Sequence, residues 1–325
     1  MNHKKLQQTL KSLASFLIIL LLLPYVITVF LHGADRTETD NVYVRVREIT
    51  ADNEEQITEL PWKEYFIGVL AHEVPDSAEE EFLKAQAVLI RTNLYGQMEN
   101  SEDKVLDEAY LTPEEMERRA LEFDYETYYG KLERACEETG NQVLLYQDTY
   151  AYVPFHKVSS GLTRSYQEVT GLTDYPYLIV RECPLDKEAQ DETQTSIFDY
   201  RDVQKKCQSF LVAVEESEAG NTYQFSDFEI ISYDSAGYVL QMRIGDTYIS
   251  GDQFRDALSL PSSAFSLEDS DGRLCVRTEG TGHGFGLSQW TANEMAKEGK
   301  TYEEILQFFF EGTVLTDQGE MLSGS

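Results

Sequence analysis

The chain has 325 residues, 42% hydrophobic and 12% aromatic, which is enough apolar material for one large or two ordinary domains and too much for a disordered chain. Lys and Arg number 27 against 58 Asp and Glu, a formal charge of −31; a field of that sign repels phosphate backbones and argues against nucleic acid as a partner. The four cysteines, Cys136, Cys183, Cys207 and Cys275, form no CxxC pair, which excludes a zinc ribbon or a thioredoxin-type redox centre.

The N-terminal stretch carries Lys4, Lys5 and Lys11 without an acid and leads into an apolar run from Leu13 to Leu31. That run is close to the roughly 20 residues a bilayer-crossing helix needs. A transmembrane helix over 13–32 is therefore expected behind a cytoplasmic tail over 1–12, and the basic flank sends the remainder to the outer face of the cell membrane. A cleaved signal peptide is the alternative, although the run is long for one and no small-x-small site follows it. Residues 33–60 read as a juxtamembrane linker with one alternating edge strand, NVYVRVR.

From Trp62 the period changes. Trp62, Tyr65, Phe66, Val69 and Leu70 mark one stripe of an amphipathic helix that Pro75 stops. A second helix is expected over 78–97, opened by a capping box of Ser77 and Glu80, with Leu83, Ala87, Ile90 and Leu94 on its buried face. Glu73 then falls in the turn joining two packed helices, where a carboxylate is held rigidly and partly desolvated.

Residues 99–140 are acidic and helix-like, and read as an inserted, solvated segment with a capped start at TPEEMERR. QVLLYQDTYAYVPFH reads as a hairpin turning at Gln147 and Asp148 and ending at His156. A β-rich subdomain over 186–265 is expected from QSFLVAVEE, FEIISYD, YVLQMRIG and TYIS, with a helix at GDQFRDALSL. The glycine-rich EGTGHGFGLSQW precedes two further helices, TANEMAKEG and TYEEILQFFF. The fold class expected is α+β: a helical catalytic segment with a β-rich subdomain inside an ectodomain over 61–325, preceded by one N-terminal transmembrane helix.

Several chemistries fail on spacing. His72-Glu73 would open HExxH, but Asp76 stands where the second His belongs and Pro75 breaks the helix. GLSQW lacks the final glycine of a serine-hydrolase elbow, and GTGHGFG has Phe285 at the third glycine of a dinucleotide fingerprint. His72, His156 and His283 show no ligand spacing, so no metal and no cofactor are expected. One well-placed acid, Glu73, survives.

YFIGVLAHEVPDSAEEEFLKAQAVLIRTNLYGQ resembles the SpoIID/LytB signature, a helix ending in Glu before a Pro and then a helix carrying KAQAVxxRT. In order after it, FHKVSSGLT is similar to the family's HxxSGGxT loop, DYPYL to its PYL segment, GDQFRDALSLPSSAF to its RxxLxLxSxF segment, and GTGHGFGLSQW to its GHGxGMSQ block. The resemblance spans about Trp62 to Thr313 and implies a lytic transglycosylase that cuts peptidoglycan glycan strands stripped of stem peptides, in engulfment during sporulation. It further implies a SpoIIP-like amidase and a SpoIIM-like membrane scaffold as partners, and leaves a homodimer open. Carried over by position, Glu73 is the catalytic acid, Arg91 and Tyr177 contact the glycan, and Gln86, His156, Ser160, His283 and Gln289 are further substrate-binding positions. The chain departs from the pattern at Leu162, the second glycine of SGG, and at Ile179, where a basic residue often follows PYL. Some family members carry a Cys/His zinc site by the HxxSGGxT loop; His156 has no cysteine near it in sequence. A non-catalytic glycan-binding scaffold and a zinc-dependent wall hydrolase are the competing readings.

Overall fold

The computed structural model describes residues 42–49, 54–119, 124–189, 193–211 and 223–319. The chain divides into two compact units, Met1–Tyr65 with Glu320–Ser325, and Phe66–Gly319. In the first, strand β1 (Tyr43–Ile49) pairs antiparallel with β2 (Glu55–Pro61), Tyr43 opposite Pro61 and Ile49 opposite Glu55. The alternation of NVYVRVR marks β1; β2, rich in Glu, has no such signal.

The expected membrane helix over 13–32 lies outside the described residues. Among the described residues no helix is long and apolar enough to cross a membrane. The longest, α2, has 21 residues but carries Glu80, Glu81, Lys84, Arg91 and Glu99. The fold is thus mixed α+β with no membrane-crossing helix among the described residues, which corrects both the expected fold class and the single-pass topology.

Helix α1 (Trp62–Glu73) buries its stripe Trp62, Tyr65, Phe66, Val69 and Leu70. Helix α2 (Glu80–Asn100) is the spine of the larger unit and is buried along most of its length. Its N-terminus differs from the expected Ser77–Glu80 box: Glu79 is the N-cap without a side-chain cap bond, and its N–H is taken by Asn293 Oδ1 at 2.9 Å, from a helix more than 200 residues on. A distant acceptor has displaced the local one.

The segment expected to be solvated packs instead. After the short strand β3 (Val105–Leu106), helices α3 (Pro113–Arg119) and α4 (Tyr125–Glu138) bury Met116, Tyr128, Leu132, Ala135 and Cys136. Its acids lie on the faces turned outward, which is why composition alone misled. Strands β4 (Gln142–Tyr146) and β5 (Thr149–Tyr150) form the hairpin, with Gln147 and Asp148 at φ 52° and 62°, and β4 docks on α2 through the Leu144 N–H to Thr92 Oγ1 bond of 2.9 Å.

Beyond strand β6 (Phe155–His156) and the short helix α5 (Tyr166–Thr170), a β-rich lobe follows. It holds β7 (Thr193–Phe198), helix α6 (Tyr200–Lys206), β8 (Phe228–Tyr233), β9 (Val239–Ile244), β10 (Thr247–Ile249), helix α7 (Gly251–Leu258), β11 (Phe265–Ser270) and β12 (Arg273–Glu279). Two antiparallel three-stranded sheets, β10-β9-β8 and β11-β12-β7, share a core including Val203, Phe228, Met242, Phe254, Phe265 and Val276. The strand expected at QSFLVAVEE is not formed at its start, where residues 207–211 follow α6 as turns, and its remainder lies outside the described residues. Strand β13 (Leu287–Ser288), helix α8 (Gln289–Lys297), helix α9 (Tyr302–Phe309) and strand β14 (Val314–Asp317) complete the unit. The Thr301–Glu304 capping box opens α9 as its sequence predicts.

Candidate active site

Glu73 is the last residue of α1, and its carboxylate Oε1 lies 2.9 Å from His72 Nδ1. It opens into a cleft of about 700 Å³ lined by His72, Val74, Pro75, Phe82, Arg119, Lys157, Gln289, Trp290, Asn293 and Lys297 among others. Among the described residues lining this cleft Glu73 is the only carboxylate, in the company of three permanent cations. Two of the three are ion-paired, Arg119 with Asp76 at 2.8 Å and Lys297 with Glu294 at 2.6 Å.

The wall opposite α1 is built by the glycine-rich block. Strands β13 and β6 pair in parallel, Leu287 beside Phe155 and Ser288 beside His156. That approach requires glycine: a Cβ on Gly282 would lie 2.5 Å from the His156 Cβ, and Gly286, at φ 70°, leaves no room for one against Pro154 O. The glycines thus bring backbone against a neighbouring strand. Ser288 caps α8, and Gln289, its first residue, donates from Nε2 to Glu73 O at 3.0 Å. The same nitrogen lies 3.5 Å from Oε1 of the fully buried Gln86.

Asp186, fully buried, ties these pieces together. Its carboxylate accepts from Ser159 N (2.7 Å), Ser288 Oγ (2.7 Å), Thr291 N (3.1 Å) and Thr291 Oγ1 (2.6 Å), at the N-terminus of α8. It has no motif in sequence and was missed there. Lys157, Trp290, Asn293 and Arg119 were missed too; Lys157 and Trp290 lie inside the quoted motifs FHKVSSGLT and GTGHGFGLSQW, whereas nothing local flags Arg119.

The other sequence-chosen residues do not line the cleft. Arg91 is buried under α4, where it donates to Gln142 O (3.0 Å), Cys136 O (3.3 Å) and Thr139 Oγ1 (3.1 Å); it closes the C-terminal end of that helix, and burial pushes its guanidinium below its ordinary value. Tyr177 is buried, its hydroxyl bonded to Tyr152 O at 3.1 Å, within a cluster of tyrosine rings including Tyr146 and Tyr175. Ser160 borders a separate pocket with Glu182 and Glu279 and bonds Ala236 O. His156 donates from Nδ1 to Phe285 O (3.0 Å) and His283 accepts on Nδ1 from Phe285 N (3.0 Å), their rings 5.8 Å apart. Burial holds both imidazoles down at about 4, opposed in His156 by the Phe285 bond and reinforced in His283 by the neighbouring His156. Among the described residues no group of three or more His, Cys, Asp or Glu side chains is placed to hold a metal ion. His156 and His283 alone do not fit the Cys/His site of some relatives.

The architecture is that of an α+β protein whose two-helix turn presents Glu73, the only carboxylate among the described residues lining it, to a cleft also lined by residues of α8. The stage II sporulation protein family model, SpoIID, matches residues 50–146. Over 276 residues the chain is 30% identical to an uncharacterized protein of Brachyspira hyodysenteriae (strain ATCC 49526 / WA1), covering 80% of this chain and 68% of that one. It is 28% identical over 281 residues to stage II sporulation protein D of Bacillus subtilis (strain 168), covering 83% and 78%, and 27% identical over 278 residues to that of Bacillus amyloliquefaciens, covering 82% and 77%. The chain belongs to the SpoIID family.

Proposed function

We propose that the chain is a sporulation-related cell-wall enzyme, a lytic transglycosylase that cleaves peptidoglycan glycan strands. That Glu73 is the only carboxylate among the described residues lining the cleft carries this reading. Glycoside hydrolysis ordinarily uses two carboxyl groups, about 5 to 9.5 Å apart according to the stereochemical outcome; a lytic cleavage uses one, twice. Protonated Glu73 delivers its proton to the glycosidic oxygen as the C1–O bond breaks. The C6 hydroxyl of the same sugar bonds to C1 and gives its proton to the Glu73 carboxylate, which restores the acid and closes a 1,6-anhydro ring. No water is consumed.

The cleft suits the substrate. Once stem peptides are removed, each muramic residue bears a free lactyl carboxylate, and Lys157 supplies opposite charge in the cleft. An amidase is the reaction class that produces such strands, so a SpoIIP-like amidase, with a SpoIIM-like scaffold, is the partner set this reading entails. Mass analysis of products from peptide-free strands tests it: anhydro ends are expected. Reducing ends would mean hydrolysis, and intact strands that bind the protein would mean a scaffold.

A further inference from the structure

In an α-helix the carbonyl of residue i accepts from the N–H of residue i+4. For Ala71 that position is Pro75, which has no N–H. The last bond of this kind in α1 is Val74 N–H to Leu70 O, at 3.2 Å. The Ala71 carbonyl is therefore orphaned by the residue that ends the helix, two positions from Glu73. Arg119, at the end of α3, fills the gap: Nη1 donates to Ala71 O at 2.7 Å, Nη2 to Val74 O at 2.9 Å, and Nε lies 2.8 Å from Asp76 Oδ1. With Gln289 holding Glu73 O, three of the carbonyls around the acid are fixed by side chains from remote segments.

We infer that Arg119 is a positioning residue for Glu73, bracing the carbonyls on either side of it, in the reaction proposed above, on which this role in catalysis rests. Its planar fork reaches both carbonyls and Asp76 together, which an ammonium cannot do. Asp76 balances its charge, so the guanidinium acts as a brace and not as a counterion to the carboxylate. Without it the last turn of α1 frays and Glu73 loses its fixed direction into the cleft.

The test compares Arg119→Gln, Arg119→Lys and Arg119→Gln combined with Pro75→Ala, which returns an N–H opposite Ala71 O. Arg119→Gln should speed amide exchange at Val74 by roughly tenfold, with Leu89 in α2 unchanged. It should lower kcat on peptide-free strands roughly 10- to 100-fold at unchanged strand affinity, since small misplacements of a reacting group cost that much. Arg119→Lys should fall between, and the double variant should regain protection and rate over Arg119→Gln. Wild-type exchange and rate in Arg119→Gln, or a double variant no better than it, overturns the assignment. Wild-type protein that leaves the strands intact defeats the transglycosylase reading, while Val74 exchange still decides whether Arg119 braces the turn. If Arg119→Gln exchanges faster at Leu89 as well, Arg119→Lys decides: selective exchange at Val74 supports the brace, and none overturns it.

Discussion

His156 and His283 sit neutral in the glycine-rich wall because burial penalises their charged forms, and both are held at about 4 against an ordinary value of about 6.5 in an unfolded chain. Between those values the unfolded chain takes up protons that the folded chain refuses, so the stability they lend is complete above about pH 6.5 and is lost as pH falls toward 4. The loss is on the order of 3 kcal/mol for each imidazole. Urea midpoints at pH 7, 6 and 5 should drop more steeply for wild type than for His156→Asn, whose amide cannot titrate; parallel profiles would contradict the assignment. Arg91 makes a second case. Its donors close α4, so Arg91→Met removes the bonds to Gln142 O, Cys136 O and Thr139 Oγ1 and should cost about 3 kcal/mol, read as a lower denaturation midpoint with unchanged strand affinity in the folded fraction. Weakened affinity at unchanged stability would restore the contact role that the family resemblance gives it.

Helices α1, α2 and α9 and the β4-β5 hairpin were legible because their signals are local: a 3.6-residue apolar stripe, a proline stop, a capping box, two turn residues at positive φ. What was not legible is what distant segments supply. The Ser77–Glu80 box is a sound local motif, yet Asn293 takes the Glu79 N–H. Asp186 carries no sequence pattern, because its four donors come from the loop after β6 and from the start of α8, brought together by the glycines around Gly282 and Gly286. Glu73 was found by its turn and by resemblance; its cleft-mates Lys157, Asn293 and Lys297 depend on α8 docking beside α2. Asp186→Asn turns an amide N–H₂ toward groups that themselves donate, and should destabilise the fold by about 3 kcal/mol. A denaturation midpoint at the wild-type value would show that the wall does not depend on this carboxylate.

Across the whole molecule the charge is −31, whereas Lys157 brings a positive charge to the cleft. A polyanionic strand is repelled by most of the surface and attracted at one place, so binding should be specific to the cleft and weaken with added salt. Lys157→Gln should lower affinity for peptide-free strands by roughly twofold to fivefold, the worth of one exposed charge contact, and binding assays at two ionic strengths read both effects. Affinity indifferent to salt and to Lys157 would place the strand elsewhere. In the proposed cleavage one proton is carried by one side chain. Glu73→Gln keeps the shape of that side chain but has no proton to give the leaving oxygen, so the rate on peptide-free strands should fall by about two to four orders of magnitude while strand binding persists. A Glu73→Gln protein that cuts as fast as wild type would contradict the account.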